Sequence, residues 1–146
     1  MIHFDAVTHN GYARSIAPTY VLLASGQHTP TNGPQGDIWT PAYQGIQRAN
    51  FVLQNIDKAP AVDLIKKRTV AEIKVLRAFF YLQLVNYFGD VPLVTTRLST
   101  EEYNTLTRSS SADVYKFIIQ DLDDAIPDLP IKYDAADYGR MTKGAA

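Results

Sequence analysis

The chain has no cysteine. That excludes disulfides, thiolate metal sites and cysteine nucleophiles, but it assigns no compartment, because many exported proteins also lack the residue. Charge of one sign is equally scarce. Fourteen basic residues stand against 15 acidic ones, a net charge of −1 spread without long blocks. Nothing in that balance draws the chain to a phosphate backbone or an anionic bilayer, so nucleic-acid binding is excluded as a function class. No apolar run approaches the ~20 residues that a membrane helix needs. The start, Met1-Ile2-His3-Phe4-Asp5, has neither the basic nor the hydrophobic region of a signal peptide. His3, His9 and His28 are scattered without metal-ligand spacing. The loop Gly33-Pro34-Gln35-Gly36 lacks the lysine and preceding strand of a phosphate loop, and no G-x-S-x-G is present. No cofactor motif remains. Nor is any alternating apolar run long enough for a packed sheet.

What is present is helical. With 146 residues, 46% hydrophobic and 20% charged, the chain has the composition of one globular domain, residues 1–146, able to bury about two-thirds of its unfolded surface. Residues 8–24 are weakly helical, with Tyr12, Ile16, Tyr20 and Leu23 at helical spacing around Pro18. Ala24–Asp37 holds three glycines and two prolines and reads as a long surface loop, a length associated with function or mobility. A helix opens at Asp37 or Thr40, with Pro41 in its first turn and a stripe of Ala42, Tyr43, Ile46, Ala49, Asn50, Leu53 and Ile56. Ala59-Pro60 breaks it.

A longer helix follows from about Asp63 to Phe88. From Ala78 to Phe88 only Gln83 and Asn86 are polar, which predicts a helix sandwiched between other elements. Gly89 supplies its end and Pro92 prevents continuation. Residues 93–107 read as irregular, with a short extended piece at Leu93–Thr96. Ser110 with Asp113 approximates a capping box for a helix whose stripe is Val114, Phe117, Ile118, Leu122, Ala125 and Ile126, ended by Pro127. Gly139–Ala146 reads as a loop entering a helix at which the chain stops, so the sequence reads as a fragment. The fold class is all-α: antiparallel helix pairs with long irregular loops, truncated at the C-terminus.

The order of the pieces is specific. Trp39-x3-Tyr43-x2-Ile46-x2-Ala49-Asn50 precedes Glu72-x4-Arg77-Ala78-x2-Tyr81 and Phe88-Gly89-Asp90-Val91-Pro92-Leu93. Then come Arg108-Ser109, Val114-Tyr115-x2-Ile118-x2-Asp121-Leu122-x2-Ala125-x3-Leu129-Pro130 and Gly139-Arg140-x-Thr142-Lys143-x-Ala145-Ala146. From about Ile38 onward this resembles the N-terminal half of the SusD/RagB family of nutrient-binding outer-membrane lipoproteins. The lipid-bearing cysteine and the second half of the family have no counterpart in this sequence. The resemblance implies a tetratricopeptide-like fold and a place on the extracellular face of the outer membrane. It also implies capture of oligosaccharides, or in some members peptides, for a SusC-like TonB-dependent transporter, without catalysis and without a cofactor. The alternative is an interaction scaffold whose helices chiefly dock onto that transporter. Because stacked helix pairs need neighbours, an exposed apolar edge and self-association are expected.

Candidate site residues follow from exposure and charge. Trp39, beside the Gly/Pro loop, either stacks on a sugar face or buries its ring at a helix-packing position of the family pattern. Tyr103, Tyr133 and Tyr138 lie in polar segments and are candidate ligand contacts, whereas Tyr43 and Tyr81 read as core. Asp121 falls on the apolar face of its helix, where a lone charge is costly. It is expected to pair with Arg77 or Arg140, the alternative being a place at the rim of the stripe, in water. Asp121, Asp123 and Asp124, like Glu101 and Glu102, are neighbours on one helix and do not make the two-sided carboxylate cleft of a glycosidase. Ser109, Ser110 and Ser111 read as helix caps.

Overall fold

The computed structural model describes residues 21, 22, 24–29 and 35–146. The stripe of Tyr12, Ile16 and Tyr20, with Leu23, and residues 30–34 of the Gly/Pro loop lie outside the described residues, as do His3 and His9. Packing divides the chain into two units, Met1–Thr40 and Pro41–Ala146. In the first, Val21, Leu22 and Ala24 are helical, and Ser25 N donates to Val21 O at 3.0 Å.

Helix α1 spans Gln35–Asn55, α2 Asp63–Phe88, α3 Thr100–Asn104 and α4 Ser111–Ala125. Among the described residues there is no strand, only an isolated antiparallel bridge between Val91 and Ser109. The fold is all-α, as the periodicity predicts. Helix α1 starts two residues before Asp37, so Pro41 sits in its second turn and cannot donate to the carbonyl four residues back. Helix α2 ends as expected. Gly89 takes φ +66° and donates to Val85 O at 3.0 Å, a backbone conformation that glycine reaches without Cβ strain. At α4 the cap is Ser110, whose Oγ accepts from Asp113 N at 3.2 Å. Helix α3 is a departure from the irregular reading. It rests on a full capping box, Ser99 Oγ accepting from Glu102 N and Glu102 Oε2 accepting from Ser99 N at 2.7 Å. That signal is in the sequence, but no apolar run follows to mark a helix.

A turn of 3₁₀ helix at Ile56–Lys58 returns the chain from α1 to α2. Gly45 faces Phe80 and Asn50 meets Arg77, so the two helices run antiparallel. Lys74–Asp124, Arg77–Asp121 and Asn86–Tyr115 contacts give α2 and α4 the same relation. The core lies between the helices. Ile46, Tyr81, Leu84, Val91 and Val114 are fully enclosed, and Ala71, Val75, Ala125 and Leu129 form a cluster joined by Leu122, Met141 and Ala146. Burying one such aliphatic side chain contributes about 1.5–3 kcal/mol.

The all-round apolar segment of α2 is not covered on every side. Phe79 is 50% and Leu82 37% exposed, because α1 and α4 cover two flanks and leave a third strip open. Residues 139–146 make turns rather than a helix start, with Ala145 N donating to Thr142 O at 3.0 Å. A single turn has no ladder of bonds to extend.

Candidate functional site

The polar centre of the second unit is built by α1, α2 and α4. Arg77 lies on α2 and Asp121 on α4, with side chains only 8% and 5% exposed. Arg77 donates through Nε to Asp121 Oδ2 at 2.7 Å and through Nη2 to Oδ1 at 2.8 Å. This two-pronged geometry is the strong form of a charge-assisted pair. Its Nη1 donates to Asn50 Oδ1 at 2.7 Å and to Thr95 O at 3.5 Å. Asn50 in turn donates through Nδ2 to Val94 O at 2.9 Å and Thr96 O at 3.2 Å. The guanidinium also lies 4.9 Å from the centre of the Phe117 ring, which packs edge-on against Tyr81 at 5.5 Å. Both oxygens of Asp121 are engaged by Arg77, which makes the pair a tie between α2 and α4.

The network ends on the segment after α2. Tyr81 Oη donates to Val94 O at 2.9 Å and accepts from Val94 N at 2.7 Å; burial pushes this phenol up to about 12. The bridge at Val91 and Ser109, with Ser109 N donating to Val91 O at 3.0 Å, closes an excursion over residues 92–108. Side chains from α1 and α2 thus clamp residues 94–96, which have no regular ladder of their own.

Arg140 is not part of this centre. It meets Glu72 instead, through Nε at 2.9 Å and Nη2 at 2.8 Å, and reaches Asp137 through Nη1 at 3.2 Å. Tyr133 donates its hydroxyl to the same Glu72. The guanidinium carbons of Arg68 and Arg140 lie 5.5 and 5.2 Å from the Tyr133 ring centre. Tyr133 is thereby engaged at both hydroxyl and ring, tying the tail to α2. Tyr138 is 81% exposed, and Tyr103, on α3, accepts a hydrogen bond from Gln47 of α1. Phe80, opposite Gly45 and so beside the Gln47 turn, lies eight residues along α2 from Glu72, roughly 12 Å of helix. The three tyrosines are therefore not gathered into one site. Trp39 lies half-buried on α1 in the other unit. Of the carboxylates, Asp124 bonds Lys74 at 2.7 Å and Glu102 is spent on its cap.

This order of antiparallel helices and buried polar ties can be set beside known proteins. A family profile described as starch-binding and associating with the outer membrane matches residues 5–146. The chain belongs to the SusD-like family. It is 34% identical to SusD-like protein P25 of Formosa agariphila over 75% of this chain and 21% of that one. Among solved structures, a SusD-like carbohydrate-binding protein from Bacteroides fragilis matches with a TM-score of 0.88 and 30% identity, covering 99% of this chain and 29% of that chain. A laminarin-binding SusD-like protein matches at 0.85 with 35% identity, over 90% of this chain and 28% of the other. This SusD-like chain thus spans about a fifth of the length of its curated relative. Its helices pair in the tetratricopeptide-like manner. No helix among the described residues is long and apolar enough to cross a membrane.

Two members of the SusD-like sequence pattern acquire roles that the linear reading missed. Asn50, polar in an apolar stripe, is the hinge between Arg77 and the excursion; its position on the buried face was the signal. Glu72 is the acceptor for Arg140, and nothing in linear spacing joins residues 68 positions apart. Burial raises the Glu72 pKa, but hydrogen bonds from Arg140 and Tyr133, with the charges of Arg140 and Arg68, outweigh it and hold the carboxyl below its usual 4.5. A depressed folded-state pKa adds stability above the unfolded value, and that contribution is lost as pH falls through the folded one. Glu72→Gln is accordingly expected to unfold at lower urea than the parent at pH 7. The gap should close as pH drops below ~4.5, read from paired urea titrations between pH 7 and 3.

Proposed function

We propose that this SusD-like chain is the helical scaffold of a non-catalytic, outer-membrane-associated protein that captures oligosaccharides outside the cell. The reading extends to delivery of those sugars to a SusC-like TonB-dependent transporter. The observation that carries it is the 35% identity, at a TM-score of 0.85, to a protein described as laminarin-binding. The binding wording of the matched family supports it further. Calorimetric titration with laminarihexaose and maltohexaose tests it: the chain is expected to bind one of them and to lose that binding on Trp39→Ala. Heat indistinguishable from dilution for both sugars overturns capture by this chain.

A second reading, docking onto the transporter, is favoured by one observation: Phe79, Leu82, Tyr115 and Ile119 are large apolar side chains left exposed on the paired helices α2 and α4. Retained transporter binding without glycan affinity would put that reading first.

A further inference from the structure

We propose that the outer face of α1, with the excursion that leans on it, is an oligosaccharide platform centred on Phe51. The inference rests on the capture reading above and names a place for it.

Gln47, Phe51 and Gln54 stand at i, i+4 and i+7, which puts them on one side of α1. All three are exposed, and the Phe51 ring is 49% open. The excursion supplies the rest. Gln54 Oε1 accepts from Arg97 N at 3.3 Å, the Arg97 guanidinium carbon lies 5.6 Å from the Phe51 ring centre, and Gln47 donates to the Tyr103 hydroxyl. Arg97's guanidinium forms no hydrogen bond or ion pair among the described residues, so its donors remain available beside an open ring.

That set of groups matches one ligand chemistry. A pyranose offers an apolar C–H face to an aromatic ring and hydroxyls around its edge. Planar amides and a phenol can bond those hydroxyls in either direction, and a guanidinium donates to them. Amide, phenol and guanidinium groups can all be satisfied by uncharged hydroxyls, so the ligand proposed is a neutral sugar chain.

The platform is also held in place. Arg97 follows Val94, Thr95 and Thr96, the three residues whose carbonyls receive Asn50, Arg77 and Tyr81. The buried network therefore positions Arg97 over Phe51 before any ligand arrives, which reduces the ordering cost of binding.

Titration calorimetry on the whole chain with laminarihexaose and maltohexaose separates the outcomes. Phe51→Ala is expected to weaken binding about tenfold, the scale of one lost aromatic contact plus its buried area. Arg97→Ala should weaken it several-fold, and Phe51→Trp should bind at least as tightly as the parent. Phe51 and Arg97 are exposed, so thermal melts of these variants should overlay the parent. If the parent binds and both alanine variants bind equally well, the platform is overturned while capture stands. Loss on Trp39→Ala alone, with Phe51→Ala unaffected, overturns it too. If the parent binds neither sugar, the capture reading and the platform fall together.

Discussion

Asp121→Ala is expected to cost about 3–5 kcal/mol of stability, the scale for removing one partner of a buried ion pair. The reason is what stays behind. Arg77 keeps its charge in a site where its side chain is 8% exposed, with Asn50 and Thr95 O as its remaining polar neighbours. Domains of this kind are stable by about 5–15 kcal/mol in total, so the variant approaches the unfolding threshold at room temperature. Urea denaturation followed by circular dichroism measures the loss. The double change Arg77→Met with Asp121→Leu separates two explanations, since apolar replacement of a whole buried pair is often neutral. Recovery of most of the midpoint assigns the cost to the orphaned cation. A double variant as unstable as Asp121→Ala would mean instead that the bonds from Arg77 to Asn50 and the excursion are what the fold needs.

Gly45→Val should be the next most damaging change, about 3 kcal/mol, the upper end of the usual range for overfilling a packed site. A Cβ at Gly45 falls 2.3 Å from Phe80 Cε2 and 2.5 Å from Cζ. Helix propensity pulls the other way by less than 1 kcal/mol, so sterics decide the sign. Because the obstacle is a side chain, adding Phe80→Ala to Gly45→Val should return part of the lost melting temperature. Equal melting of the parent and Gly45→Val would show that α1 and α2 do not approach through this glycine.

Much of the scaffold was legible in the chain itself. The limits of α2 follow from Ala59-Pro60 before it and Gly89 after it, and the amphipathic stripe of α4 follows from Val114, Ile118 and Ala125. These signals are local: a glycine that tolerates positive φ or a 3.6-residue period acts on its neighbours and needs no partner. The wording around Trp39, Arg77, Phe88-Gly89-Asp90 and Gly139-Arg140 was enough to point to the SusD/RagB family. Asp121 on an apolar face likewise announced that a cation must meet it.

Which cation meets Asp121 is not local information. Arg77 and Arg140 were equal candidates by sequence, and only the antiparallel register of α2 against α4 brings Arg77 to Asp121 and leaves Arg140 for Glu72. The same holds for the tyrosines. Its place in a polar loop made Tyr133 a candidate ligand contact, and only the structure shows that two guanidiniums and a carboxylate also meet it where the tail folds back on α2. Phe51 is the converse, one aromatic among many in the chain, left 49% open on the side of α1 where the excursion brings Arg97 to its ring. The sequence alone determined α2 and α4, the glycine end of α2 and the family, because those depend on neighbours along the chain. The tertiary structure decided which charges pair and which aromatic faces stay open, because both depend on distances between residues far apart in sequence.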